Sequence, residues 1–144
     1  MHNEDTVKLL KECSAGIRMA VESINDVLPY LEDSELKKVL EESKTEHKDL
    51  EKDIDDTLHK MNCEGKEPNL MAKGMSKIKT NAEMAFKPTA AQAASLITDG
   101  CSMGIKSINK YINQYPAASS EIKHLAERIS TLEENLEDKM KPFL

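Results

Sequence analysis

Histidine and cysteine are the residue types in this chain with most to offer a reaction centre, and their spacing limits what they can do. Cys13, Cys63 and Cys101 are an odd set without short metal-ligand spacing, which reads as free thiols in a reducing compartment and implies no zinc site. Cys13 and Cys101 stand beside Gly16 and Gly104, so their expected role is packing where helices approach closely. Neither has an adjacent histidine or basic group to activate a nucleophilic thiol. Cys63 is expected in an exposed loop. No Gly-rich phosphate loop and no hydrolase nucleophile motif is present, which removes kinase, P-loop and hydrolase chemistry. His47 remains, at the centre of an apolar helical stripe, and three readings of it stay open. It is a core histidine bonded to a carboxylate or to Ser43, since buried polar groups are paired; or it joins Glu133 and Glu51 in a site for one metal ion or small ligand; or it is partly exposed at a bundle edge. No residue is assigned a catalytic or cofactor-binding role.

The elements that would position these residues follow from apolar periodicity. A first helix runs from about Glu4 to Leu28 and stops at Pro29, with Leu10, Cys13, Ile17, Ala20, Val21, Ile24 and Leu28 at helical spacing. A second starts near Ser34, with Glu35 complementing the helix dipole, and reaches about Met61 on a stripe of Leu36, Val39, Leu40, Ser43, His47, Leu50, Ile54 and Leu58. Residues 62–68 carry Gly65 and Pro68 and form a loop. Pro68 can open a short crossover helix with Leu70, Met71, Met75, Ile78 and Met84, whose methionines pack it onto the bundle or suit a partner helix. After Pro88, Thr89 and Gln92 make a capping-box pattern. The helix that follows carries Ala94, Ile97, Cys101, Ile105, Ile108 and Ile112. The last begins at Ser119 or Ser120, carries Ile122, Leu125, Ile129, Leu132, Leu136 and Met140, and ends before Pro142. No segment reads as a strand.

Composition agrees with a helical chain and narrows the partners. The 144 residues suit a single domain, 1–144, with one modest core. Apolar residues make up 39% and charged residues 32%, with few glycines and prolines and no tryptophan, the balance of a surface-rich helical protein. The net charge of -6 arises from interspersed acids and bases. No basic face is left to neutralise phosphates, and no aromatic residue lies in a basic cluster that could stack bases, so nucleic acid is not an expected partner. The polar, acidic N-terminus lacks a signal peptide's basic region and apolar stretch, and no run of about 18 apolar residues occurs. The expectation is a cytoplasmic protein without a membrane partner.

An internal repeat is the most informative feature. Cys13-Ser14-Ala15-Gly16-Ile17-Arg18 matches Cys101-Ser102-Met103-Gly104-Ile105-Lys106 at an offset of 88 (101 − 13), and Ser34-Glu35-Leu36-Lys37 matches Ser120-Glu121-Ile122-Lys123 at 86 (120 − 34). Pro29 and Pro116, which end the corresponding helices, are 87 apart (116 − 29). A duplicated helical hairpin is implied, with pseudo-twofold packing of its two copies. On Leu10-Lys11-Glu12-Cys13 leading to Gly16 and Glu22, on Ser34-Glu35-Leu36-Lys37, and on the short helix before Thr89, nearly the whole chain resembles an uncharacterised bacterial branch of the ferritin-like superfamily. That resemblance implies an all-α, antiparallel four-helix bundle: two pseudo-twofold-related hairpins joined by a long crossover holding a short fifth helix.

The resemblance also implies where iron would be held. Such sites need a Glu from each of two helices and Glu-x-x-His from each of the other two, all inward. At about 100° per residue, Glu22 lies roughly 140° from Ile17, towards solvent. The repeat partner of the first helix offers Ile105, Lys106 and Ile108 and no carboxylate. In the second helix Lys44 stands three residues before His47, where Glu is needed. Glu121-Ile122-Lys123-His124 fits the string, but His124 lies roughly 140° from Ile129, off the inner face. Counting 86 from His47 leads to Glu133, with Ser130 three residues before it. Lys44 and His47 facing Ser130 and Glu133 cannot hold two irons, although one ion is conceivable. The expected function is therefore a non-catalytic bundle acting through protein contacts, as a homo-oligomer such as a dimer, with Met19, Tyr111, Tyr115 and Phe143 as its adhesive surface. The alternative is a divergent di-iron or mononuclear metal-binding oxidase or iron-binding protein.

Overall fold

A computed structural model describes residues 3–68 and 70–144, and within these the side chains at 70–73 and 78 lie outside the description. Leu70, Met71 and Ile78 of the expected crossover stripe are among these. The chain is all-helical, and no strand occurs among the described residues. Among the described residues its α-helices are α1 (Glu4–Val27), α2 (Ser34–Lys60), α3 (Leu70–Phe86), α4 (Ala90–Gln114) and α5 (Ser120–Met140). Single 3-10 turns follow α1 at Leu28–Tyr30 and α5 at Lys141–Phe143, each built around a proline that cannot continue the α-helical ladder.

Each long helix starts where a short polar side chain can satisfy the orphan amides of its first turn. Asn3 accepts from the Thr6 amide, Asp33 from Leu36, Thr89 from Gln92 and Ser119 from Ile122. Only half of the expected capping box forms. The Gln92 side chain does not return to Thr89 but donates to Glu83 of α3 at 2.9 Å, a bond that ties the end of α3 to the start of α4.

Short turns make α1 and α2, and likewise α4 and α5, antiparallel neighbours. The N-terminus of α1 sits at the α4–α5 turn, where Asn3 and Asp5 bond the backbone of Ala117 and Thr6 accepts from the Ser119 amide. Hence α1 is antiparallel to α4 and parallel to α5. Lys139 meets Glu46 and Arg128 meets Asp53, which makes α2 antiparallel to α5. With α1 up, the four long helices run up, down, down and up, and α3 carries the chain back between α2 and α4. Alpha3 packs on α1 and α4, with Met84 fully buried and the Tyr30 hydroxyl donating to Asn81.

The apolar stripes meet in two separate clusters. One, at the end holding the N-terminus of α1, contains Leu10, Cys13, Ile17, Leu50, Ile54, Ile122 and Ile129. The other, at the opposite end, contains Ile24, Leu36, Leu40, Met84, Ile97, Cys101, Leu136 and Met140. Between them the α2 and α5 stripes are interrupted by buried Ser43, His47, Ser130 and Glu133. The bundle thus carries a polar layer at its waist.

One packing expectation is corrected. Gly16 is exposed, and a Cβ built there meets nothing within 4 Å, while one at Gly104 makes only ordinary contact with the Glu133 side chain at 3.7 Å. Neither glycine marks a close helix approach, although Cys13 and Cys101 are buried. The residues expected at an adhesive surface are part-exposed. Tyr111, Tyr115 and Phe143 are half-buried against the two clusters, with the Tyr111 and Tyr115 rings stacked at 6.3 Å. Met19 is half-buried as well.

Candidate functional site

The waist is built from adjacent faces of α2 and α5. Ser43 and His47, four residues apart, share the inner side of α2. The His47 Nδ1 lies 2.7 Å from the Ser43 carbonyl oxygen and 3.3 Å from its Oγ. Across the interface, Nε2 lies 2.6 Å from Oε1 of Glu133. A carbonyl can only accept, so Nδ1 carries a hydrogen and donates it to Ser43. Nε2 then either donates to a carboxylate or accepts from a carboxylic acid. Burial pushes the His47 pKa down, but the hydrogen bond and charge of Glu133, with the Ser43 carbonyl, outweigh it and leave the pKa above its ordinary value. The raised value favours an imidazolium facing a carboxylate, and the two side chains are 0% and 5% exposed.

Neighbours enclose the pair from α4. Cys101 is within hydrogen-bonding reach of Glu133, and burial, then the Glu133 charge, push its thiol pKa far up, so the sulfur stays protonated and unreactive. Asn109 donates to the Ser130 hydroxyl at 3.1 Å and to the Ile105 carbonyl at 2.8 Å. Cys13 is likewise a protonated core thiol, its pKa pushed up to about 12 by burial and by Glu12. Cys63, expected to be exposed, is half-buried, its thiol 3.4 Å from the Met61 carbonyl oxygen. The strap that carries it is pinned to α1, where Lys66 pairs with Glu12 and Arg18 with Glu67.

Of the three candidate ligands, His47 and Glu133 meet, whereas Glu51 is half-buried one turn beyond His47. Among the described residues, no third His, Cys, Asp or Glu joins the pair in a metal-ligating group. His124 is exposed beside Glu127. Lys44 is half-buried, and Ile105 and Ile108 line α4 where carboxylates would be required. Glu22 departs from its expected solvent position: it is half-buried, with Oε2 covered, on a helix whose outer arc is narrowed by α3.

No protein-family model, curated protein or solved structure matches this chain. The fold and the waist geometry therefore carry the functional argument. No helix among the described residues is long and apolar enough to cross a membrane. The contacts of Cys101 and Asn109 with the waist were not anticipated from sequence. Cys101 did stand on the α4 stripe within the repeat, which put it in the core without naming its partner.

Proposed function

We propose that this chain is a non-catalytic, ferritin-like bundle of two pseudo-twofold-related hairpins that acts through protein contacts. The up, down, crossover, down, up order of its helices supports the ferritin-like part. Two features support the pseudo-twofold. Points related by a twofold axis come close only near that axis, and His47 and Glu133, equivalent in the repeat and 86 residues apart, meet at 2.6 Å. An axis across the waist would also exchange the bundle's ends. Leu36 and Leu40 lie in one cluster and their counterparts Ile122 and Ala126 in the other; Leu50 and Ile54 are exchanged with Leu136 and Met140, and Cys13 with Cys101.

The observation that carries the non-catalytic reading is the state of His47 and Glu133, which already satisfy each other in a buried layer. A metal would have to displace that bond. It would then find one imidazole, one carboxylate and the protonated Cys101 thiol, with Lys44, Ser130 and Ile105 where further oxygen donors belong, so the residues do not fit a di-iron centre. On anaerobic addition of ferrous iron followed by oxygen, the protein should retain no stoichiometric iron and accelerate no oxidation. Stoichiometric retention with catalysed oxidation would replace this reading with an iron oxidase. Concentration-dependent self-association in light scattering is the second expectation, and a strict monomer at high concentration counts against it.

A further inference from the structure

The strap that follows α2 is fastened at both ends and crosses α1 between them. At its start Asn62 takes a left-handed conformation, φ 53°. The amides of Asn62 and Cys63 bond back to the His59 and Leu58 carbonyls at 3.1 and 2.9 Å, the pair of bonds that closes off a helix C-terminus. At the far end Pro68 is buried. Glu64, Gly65, Lys66 and Glu67 between them are exposed, and among the described residues no backbone–backbone hydrogen bond ties them down.

What holds the middle of the strap is ionic. Lys66 pairs with Glu12, whose side chain is 13% exposed, and Arg18 lies between Glu67 of the strap and Asp55 of α2. What opposes closure lies underneath. Gly65 sits so close to α1 that its Cβ would be 2.7 Å from Arg18 Nη2 and 2.8 Å from Ser14 Oγ. Ser14 is fully buried there, and its hydroxyl has no hydrogen-bond partner among the described residues. Closure therefore takes water from that hydroxyl and returns no bond, a cost of the same order as the gain from ion pairs at the surface.

We propose that residues 63–67 are a lid, poised between a closed state latched by Lys66–Glu12 and Arg18–Glu67 and an open state in which Ser14 and Arg18 meet solvent while the bundle stays folded. The open state strands no charge. Arg18 keeps Asp55 at 3.5 Å, and Glu12 keeps Tyr111 of α4 within hydrogen-bonding reach. Salt shifts the balance in one direction, because the ion pairs fade as the screening length falls from ~10 Å at ~0.1 M to ~3 Å at ~1 M, whereas the cost at Ser14 involves no charge. The lid is thus a cover on α1 that ionic strength loosens.

Cleavage of the Glu64–Gly65 bond by a glutamyl endopeptidase reads the open population at low protease, where opening and closing outpace cleavage. Its rate in the full chain is taken relative to the same bond in a matching peptide of residues 58–70, which removes the effect of salt on the protease. Raising sodium chloride from ~0.1 to ~1 M should speed relative cleavage at least about threefold. Lys66→Gln or Glu67→Gln should do so at low salt and flatten the salt dependence, with the melting temperature unchanged. Ser14→Ala should slow cleavage at least about fivefold, because it relieves the closed state alone. Cleavage that waits for global unfolding, followed by circular dichroism, makes the strap part of the bundle and overturns the lid. Cleavage at the peptide's rate whatever the salt leaves no closed state and overturns it equally. A Ser14→Ala rate at or above that of the wild type overturns the balance on which the lid depends.

Discussion

Replacing His47 or Glu133 by leucine should cost unequal amounts at neutral pH, and replacing both should cost little. In His47→Leu the Glu133 carboxylate loses its partner at 2.6 Å in a layer almost closed to water. Leaving that buried charge without its partner costs ~3–5 kcal/mol. In Glu133→Leu the imidazole can shed its second proton almost freely, since an unperturbed histidine titrates near 6.5. It keeps the Nδ1 bond to Ser43 and loses only an acceptor's partner, about 1–3 kcal/mol. The double leucine variant removes both polar groups and should lie within about 1 kcal/mol of wild type, giving a coupling energy of at least about 3 kcal/mol. Urea denaturation of the four proteins, followed by circular dichroism, measures all of this. A His47→Leu variant as stable as wild type, or costs that simply add, would refute the assignment of a buried ion pair.

Four further outcomes follow from the same geometry. Because the folded His47 pKa is raised, the pair's contribution should be complete below about pH 6.5 and fall as pH rises through the folded value; the stability difference between wild type and the double leucine variant, measured from about pH 6 to about pH 10, should shrink with rising pH. Gly104→Ala should stabilise α4 by up to about 1 kcal/mol, since the new methyl meets Glu133 at an ordinary 3.7 Å and the helix gains propensity. Gly65→Ala should destabilise and speed proteolysis of the strap, because its Cβ would lie 2.7 Å from Arg18 Nη2 and 2.8 Å from the buried Ser14 Oγ; limited digestion reads this directly. With a thiol reagent under native conditions Cys63 should react first, and Cys13 and Cys101 only at the rate of unfolding.

The parts of the fold legible in the sequence are those governed by local spacing. The stripes of α1, α2, α4 and α5 each have one apolar side, so periodicity names most of the buried residues, although it passes over Leu9 and Ala93 and includes Ile105 and Ile112, which are half-buried. Prolines and short polar caps fix the ends to within a residue or two. What escaped depends on which element lies opposite. The spacing of α3 gives two apolar sides and no means of choosing between them, so Met84 turns inward and Met75 outward. Gln92 leaves its capping box because its side chain donates to Glu83 of α3, while the Thr89 amide is taken by the Lys87 carbonyl at 2.8 Å. Tyr111 and Tyr115 lie at the stripe's margin, where stacking on each other and on the core covers them. At the waist, the repeat leads from His47 to Glu133, but Cys101 and Asn109 reach it from a third helix that no count along α2 or α5 includes.

A buried charge pair is a poor source of net stability, so its place at the waist calls for a different account, and register is the one the geometry supports. The two apolar clusters are made mostly of Leu, Ile, Ala and Met, which tolerate sliding better than hydrogen bonds do. Slipping α5 along α2 by one turn, about 5.4 Å, would bring Ile129 or Glu137 towards His47. Facing Ile129, the imidazole would lose its carboxylate while Glu133 was driven into an apolar cluster, and both would be penalised. The pair would then select a single docking of the two hairpins, and its removal should loosen that choice even where stability survives. The double leucine variant is therefore predicted to unfold near the wild-type midpoint yet show broadened or doubled amide signals for residues around 43–50 and 126–136 in a nitrogen-correlated NMR spectrum. One sharp set of signals would mean that apolar packing alone fixes the register.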